Sequence, residues 1–248
     1  MVNKALGQHW LRNREILEEI AELAAFDVGE GVTCVEIGPG LGTLTSSLLK
    51  RFPKVLAVEY DADLARKLPG SFPGKNLEVI NGDILQFDFS EVKAPYVVAG
   101  NIPYYITSPI LEHVLAAETL AERVVLLMQK EVAERVVSER ESLLSLRCKN
   151  RAEVYLGPVV LAQEFTPPPK VDSQVLVLEP HAPVVSEEVF SVISRGFSAP
   201  RKKLALNLAG WRSKEEIREM LRECGLDADA RPSDLHLEDW QKIYQKMV

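Results

Sequence analysis

The chain has 248 residues, of which 46% are hydrophobic and 26% are charged. This length and composition suit a globular protein with one large domain and a small second one, and they exclude a disordered chain. No apolar run is long enough to span a bilayer, and the net charge of −7 gives no general attraction to nucleic acid. The first residues contain neither a signal-peptide core nor a transit segment, so we expect a cytoplasmic protein without a membrane partner.

Short β-branched and aliphatic runs alternate with helical patterns along the first half of the chain. The runs predict strands at 33–37, 55–59, 77–80, 96–99 and 124–128, and the patterns predict helices at 43–51, 63–68, 109–117 and 131–138. This alternation predicts an α/β fold with a parallel sheet covered on both faces. Two further strands, 152–155 and 174–178, are joined by a proline-rich segment without a helix, so they can pair antiparallel at the sheet edge.

The pattern becomes helical after residue 183 and stays so to the end of the chain. We therefore predict a first domain over residues 1–181 with a seven-stranded, Rossmann-like sheet, and a small helical domain over residues 182–248. Trp211 and Trp240 lie in the helical part, and we expect both in its core rather than on its surface.

A glycine-rich turn follows the first predicted strand and opens a helix. Its spacing, G-x-G-x-G, begins with Gly38 and Gly40 and lets the backbone approach a ligand closely. Glu59 ends the second strand, where it can hydrogen-bond both ribose hydroxyls of an adenosine ligand. Asp83 follows the third strand and can accept a hydrogen bond from an adenine amino group, while Ile84 packs on the ring. A glycine turn alone is equally typical of a structural turn, but with these acids it resembles the S-adenosylmethionine site of class I methyltransferases.

The fourth strand ends in Asn101-Ile102-Pro103-Tyr104, a group of residues suited to chemistry on an adenine amino group. That nitrogen is a weak nucleophile because its lone pair is delocalised into the ring, so a catalyst must accept its protons. The Asn101 side-chain oxygen and the Ile102 carbonyl are neutral acceptors, and Pro103 fixes the turn that aims the carbonyl. Tyr104 offers a face on which an extruded base can stack. A sulfonium donor leaves as a neutral group, so we expect neither a metal nor a covalent intermediate. Alternatively, these four residues form only a turn at the protein surface.

Five segments carry a resemblance to a known family, the ribosomal-RNA adenine dimethyltransferases of the KsgA and Erm group. They are Leu6-Gly7-Gln8-His9-Trp10-Leu11 and residues 36–42, 81–83, 101–109 and 165–173. A looser resemblance continues through residues 197–203 and 231–235. It implies that three N-terminal residues close over the methionine end of S-adenosylmethionine: Gln8, His9 and Leu11. It also implies that Asn101 contacts the cofactor and that Phe165 faces Tyr104 across the target adenine.

The resemblance further implies dimethylation of two adjacent adenines near the 3′ end of small-subunit (16S) rRNA during ribosome assembly. Three departures bear on this. Trp10 stands where phenylalanine is usual, and Asn13 stands where the family often has aspartate. Residues 138–145 form a short loop in place of the family's glycine-rich insert. Because the Erm branch also has a shorter region here, an Erm-type methyltransferase of large-subunit rRNA remains open. So does a non-catalytic, RNA-binding assembly factor.

Basic residues are concentrated in the helical part of the chain. Residues 195–214 contain six cations and no acid, and a second small cluster lies at residues 140–151. Such patches can bind phosphates on a protein that is acidic overall, although a solvated helix face has the same appearance. We predict a monomer that binds ribosomal RNA, within a small-subunit assembly particle, through Arg147, Lys149, Arg201, Lys202 and Lys203.

Overall fold

The computed structural model describes residues 8–247, so Leu6 and Gly7 of the first matching segment lie outside the described residues. The chain forms two compact units. The first contains the residues to Glu134 together with Ala152–His181, and the second contains Arg135–Arg151 and the residues from Ala182. One boundary thus coincides with the predicted one after residue 181. Residues 135–151, which the prediction placed in the first domain, instead belong to the second unit, because Leu146 packs into that unit's core.

Seven strands of the first unit form one sheet, as predicted. A two-residue strand, β1 (Trp10–Leu11), stands apart and pairs with β8 (Phe165–Thr166). The sheet order is β4-β3-β2-β5-β6-β9-β7. Its strands are β2 (Thr33–Ile37), β3 (Lys54–Glu59), β4 (Leu77–Asn81), β5 (Tyr96–Asn101), β6 (Arg123–Gln129), β7 (Ala152–Val160) and β9 (Ser173–Pro180). The first five are parallel, and β9 runs antiparallel to both β6 and β7.

The helices that the pattern predicted are present within two residues of their expected ends. They are α2 (Thr43–Arg51), α3 (Ala62–Lys67), α4 (Thr107–Leu115) and α5 (Lys130–Val137). They follow α1 (Arg14–Ala25), which was not predicted. Its N-cap is Asn13, whose side chain accepts hydrogen bonds from the amides of Glu15 and Ile16. Asparagine therefore performs here the capping role that an aspartate would. No helix between residues 8 and 247 combines the length and the apolar character of a membrane span.

The second unit is a small helical unit with a core of its own. Its helices are α6 (Leu143–Lys149), α7 (Glu187–Gly196), α8 (Leu204–Asn207), α9 (Lys214–Glu223) and α10 (Leu237–Met247). Trp240 is fully buried in this core, as predicted. The prediction for Trp211 is wrong, since 47% of its surface is exposed. It lies in the turn between α8 and α9, where the backbone follows the surface of the unit.

The segment 138–145, predicted to be a loop, is a loop only to Ser142, because α6 begins at Leu143. This loop is held by a buried carboxylate. The Glu141 side chain is 2% exposed and accepts a hydrogen bond from Lys149 Nζ at 2.7 Å. The Ser145 hydroxyl donates to the same carboxylate at 2.6 Å. Because a buried carboxylate needs such donors, the loop has one defined conformation in the second unit.

Candidate active site

Four neighbouring strands, β4, β3, β2 and β5, end at the same edge of the sheet because they are parallel. A cavity of about 320 Å³ lies at this edge, where open α/β sheets bind their ligands. All nine residues predicted to hold a cofactor line it: Gln8, His9, Leu11, Gly38, Gly40, Glu59, Asp83, Ile84 and Asn101. The structure thus brings together residues that are up to 93 positions apart in the sequence.

The glycine turn after β2 forms one wall of the cavity. Gly38 has a φ of +63°, a conformation that favours glycine, and its amide donates to the Val58 carbonyl at 3.0 Å. A Cβ at Gly38 would meet no protein atom within 4 Å. At Gly100, by contrast, a Cβ would lie 2.7 Å from the Ile37 carbonyl oxygen. Glycine at this position therefore lets the ends of β2 and β5 approach closely.

Two carboxylates line the cavity at the ends of their strands. Glu59 accepts hydrogen bonds from the amides of Gly40 at 2.9 Å and Asp61 at 2.8 Å. Burial raises the pKa of Glu59, while these amide hydrogen bonds lower it. Asp83 accepts from the amide of Leu85 at 3.0 Å and is half-buried. The oxygens of each carboxylate have further lone pairs. Both carboxylates can therefore also accept hydrogen bonds from hydroxyl or amino groups of a ligand.

Glu36 also lines the cavity, although no role was predicted for it. Its side chain is 1% exposed, and its Oε2 has no hydrogen-bond partner among residues 8–247. Burial and, to a smaller extent, the neighbouring Glu59 carboxylate together raise the pKa of Glu36 to about 8. A buried acceptor without a protein donor, on the wall of a ligand cavity, can receive a donor from a ligand. The signal in the sequence was a glutamate inside an otherwise apolar strand.

The predicted chemical residues lie at the same cavity. Asn101, Ile102, Pro103 and Tyr104 all line it. The Ile102 amide donates to the Leu127 carbonyl at 3.1 Å, which anchors the turn to β6. The Tyr104 hydroxyl and the Ser173 hydroxyl are 2.6 Å apart, and burial raises the pKa of Tyr104. The phenol is therefore neutral near pH 7, and its ring is held by one end.

Phe165 does not occupy the position that the resemblance implied. Its side chain is 3% exposed, belongs to the core cluster that contains Leu11, and does not line the cavity. The strand pair β1–β8, which aligns Leu11 with Phe165, turns the phenyl ring into the core. Among the rings that the structure describes, the one stacked on Tyr104 is His9, with centroids 5.9 Å apart and planes at 20°.

The five cations predicted to bind RNA differ in whether they form ion pairs within the second unit. Arg147 pairs with Glu187 at 3.1 Å and lies over the Phe190 ring at 3.6 Å. Lys149 is held by Glu141, and Lys203 pairs with Asp229 at 2.7 Å. Only two of the five are exposed and form no ion pair with any described residue: Arg201 and Lys202.

The sheet order and the turn after β2 define an α/β protein with the Rossmann-like fold of class I methyltransferases. A family model described as ribosomal RNA adenine dimethylase matches residues 1–247. The chain is 39% identical over 250 residues to ribosomal RNA small subunit methyltransferase A of Thermosynechococcus vestitus, covering 96% of this chain and 93% of the relative. The chain therefore belongs to the ribosomal RNA adenine dimethylase family.

Two solved structures agree with this assignment over nearly the whole chain. The 23S rRNA methyltransferase ErmE is 28% identical, with a TM-score of 0.78 over 96% of this chain and 99% of its own. A dimethyladenosine transferase from Plasmodium falciparum is 26% identical, with a TM-score of 0.79 over 96% of this chain and 98% of its own.

Proposed function

We propose that this protein transfers methyl groups from S-adenosylmethionine to the exocyclic amino group of adenines in small-subunit rRNA. The target would be two adjacent adenines near the 3′ end of 16S rRNA, dimethylated during ribosome assembly. One observation carries the proposal: a single cavity is lined both by the acids predicted to bind adenosine, Glu59 and Asp83, and by the Asn101–Tyr104 turn. Membership of the family supports rRNA adenine as the target, and the name of the 39% identical relative favours the small subunit.

The residues present fit S-adenosylmethionine. Gly38 leaves room at the turn, Glu59 would accept from the ribose hydroxyls, and Asp83 would accept from the adenine amino group beside Ile84. The ammonium group of the methionine end would supply the donor that Glu36 lacks. Gln8 and Leu11 would close this end of the site, where the resemblance to the family also implied His9. When bound, the cofactor supplies an electrophilic methyl group on a cationic sulfur. That no metal is needed remains a prediction.

The Asn101–Tyr104 turn would position and activate the adenine amino group. The Asn101 side-chain oxygen and the Ile102 carbonyl would accept its two N–H groups, which favours a more tetrahedral nitrogen. Tyr104 would stack on the flipped base. After transfer the nitrogen would carry a positive charge, and its proton would leave to solvent water because these neutral acceptors do not hold it as tightly as a carboxylate would. Positioning and electrostatics would supply most of the rate.

RNA binding is proposed to use the second unit. Arg201 and Lys202 are its exposed, unpaired cations within the predicted set, and Lys203 can exchange Asp229 for a phosphate. Arg147 and Lys149 are already held by carboxylates, so they contribute to this unit's structure in the state described here. A cytoplasmic monomer acting on an assembly particle remains part of the proposal.

The test is methyl transfer from labelled S-adenosylmethionine to purified small and large ribosomal particles that lack adenine dimethylation. Mass spectrometry identifies the modified nucleotide. We expect dimethyladenine in small-subunit RNA. Label only in large-subunit RNA would establish the Erm-type alternative, which the short segment at residues 138–145 and the likeness to ErmE favour. No label on either particle would overturn the proposal and leave a non-catalytic assembly factor.

A further inference from the structure

The orientation of the Asn101 amide decides whether it can act on an amino group. Its Oδ1 can accept from the adenine N–H groups, whereas its Nδ2 carries two donors that would oppose them. The amide can rotate by half a turn with little change in shape, so a neighbouring group must choose between the two orientations. This step rests on the proposed function, in which Asn101 faces the adenine amino group.

The backbone carbonyl of His9 selects one of the two orientations of the Asn101 amide. The Asn101 Nδ2 donates to the His9 carbonyl oxygen at 3.0 Å. A carbonyl oxygen only accepts, so a rotated amide would set two acceptors against each other at this distance. The Asn101 Oδ1 makes no hydrogen bond with any residue from 8 to 247. It is therefore the atom left for the substrate.

The His9 carbonyl is itself held in place by the His9 side chain. The Nδ1 atom lies 2.7 Å from the Pro167 carbonyl oxygen, so Nδ1 carries the ring proton and donates it. The ring stacks on Tyr104. On the following residues, β1 pairs with β8, with Trp10 opposite Thr166. The backbone at residue 9 is thus fixed on both sides of its peptide unit.

We infer that His9 is a positioning residue for the methyl transfer. It fixes the Asn101 amide through its own carbonyl, and its Nδ1–H bond to Pro167 fixes that carbonyl. The resemblance to the family implied a different role, in which His9 closes over the cofactor. The two roles make different predictions, because positioning affects turnover and cofactor closure affects cofactor binding.

Three substitutions separate the contributions of His9. His9→Ala removes both the ring and the Nδ1 donor. His9→Asn keeps a donor at the position of Nδ1 but removes the ring, and His9→Phe keeps a ring but removes the donor. We expect kcat to fall about 10-fold to 100-fold in the Ala and Phe variants, as for a misplaced reacting group. The kcat of His9→Asn should stay close to the wild-type value. The Kd for S-adenosylhomocysteine, measured by calorimetry, should change less than about 3-fold in all three.

A second measurement does not depend on activity. The side-chain amide resonance of Asn101, assigned by its loss in Asn101→Ala, reports the hydrogen bond to His9 through its chemical shift and hydrogen exchange. We expect this resonance to shift and exchange faster in His9→Ala and His9→Phe, and to stay close to wild type in His9→Asn. An inactive wild-type protein would contradict the proposed function, while the amide resonance would still test the contact.

Three outcomes would overturn the inference. The first is an unchanged Asn101 amide resonance in His9→Ala. The second is a loss of cofactor affinity as large as the loss of kcat/KM, which would assign His9 to the cofactor. The third is a kcat close to wild type in His9→Phe but not in His9→Asn, which would show that the ring, and not the Nδ1 donor, is needed for turnover.

Discussion

At the scale of single residues, Glu36 links folding to protonation because its carboxyl group is buried in the cavity wall. Glu36 ionises near pH 4.5 in an unfolded chain and near pH 8 in the folded protein. Between these values the folded state binds more protons than the unfolded state, so the free energy of unfolding falls as the pH rises. Below pH 4.5 Glu36 has no such effect, and above about 8 the effect is constant.

Glu36→Gln should remove this dependence. Each pH unit between the two pKa values contributes about 1.4 kcal/mol, so the variant should gain at most roughly 3 kcal/mol of unfolding free energy at pH 7. Denaturant unfolding at pH 5, 6, 7 and 8 measures the effect. The matched control is Glu78→Gln, an exposed glutamate on β4. Equal pH slopes for wild type and Glu36→Gln would show that Glu36 is not protonated in the folded protein.

Asn101 should contribute to the chemical step and little to cofactor binding. Asn101→Ala removes the acceptor for the adenine amino group, and we expect a loss of about 10²–10³ in kcat, as for other oriented polar groups in active sites. The Kd for S-adenosylhomocysteine should change little. Single-turnover transfer and calorimetry on the same preparation separate the two effects. A loss of affinity as large as the loss of turnover would contradict the assigned role.

The residues that could be predicted from the sequence are those whose position follows from a strand end. Glu59, Asp83 and Asn101 lie at or just after the ends of predicted parallel strands, so their meeting at one edge follows from the alternation of strands and helices. The position of Phe165 could not be obtained in this way. It depends on the pairing of β8 with β1, whose partner residues are 154 and 156 positions apart, and no local pattern encodes such a contact.

At the scale of elements, the turn between β2 and α2 depends on Gly38 for its approach to the ligand. Gly38→Ala places a side chain where φ is +63°, which costs about 1–2 kcal/mol of stability. No protein atom obstructs the added Cβ. We therefore expect a modest loss of stability together with a loss of cofactor affinity of about 10-fold or more, equivalent to 1.4 kcal/mol or more.

Gly74→Ala is the matched control for this turn. Gly74 has a φ of +74°, its added Cβ would also meet no atom within 4 Å, and it does not line the cavity. Both variants should therefore lose similar stability in thermal unfolding, but only Gly38→Ala should bind S-adenosylhomocysteine more weakly. Unchanged affinity in Gly38→Ala would mean that the turn does not approach the cofactor.

Most helices and strands with a strong hydrophobic pattern were predicted correctly, and those with a weak one were missed. The strands β2 to β6 are short apolar runs bounded by turn residues, and their positions matched. The helix α1 was missed although it has a buried face that includes Leu17 and Ile20, because it precedes the strand–helix alternation. The two-residue strands β1 and β8 are too short for a periodic signal, and α6 begins inside the segment that was predicted to be a loop.

At the scale of the whole molecule, the net charge is acidic, yet two exposed neighbouring cations on the second unit remain available to a phosphate backbone. Arg201 and Lys202 are exposed and without ion pairs among the residues described. We expect the double variant Arg201→Glu/Lys202→Glu to bind its RNA substrate more weakly. The slope of log K against log salt should become shallower by about two, roughly one for each lost phosphate contact. Transfer at saturating RNA should remain close to wild type.

The control is a second double reversal with the same change in net charge. Arg222 and Lys242 are also exposed and belong to the same unit, but each is paired with an acid three residues away, at 2.7 Å to Glu219 and 3.4 Å to Asp239. Arg222→Glu/Lys242→Glu alters the long-range field equally, so it isolates direct phosphate contact from net charge. If both double variants change the salt slope equally, the effect is general electrostatics. In that case Arg201 and Lys202 form only a solvated face, and the RNA contacts lie elsewhere on the protein.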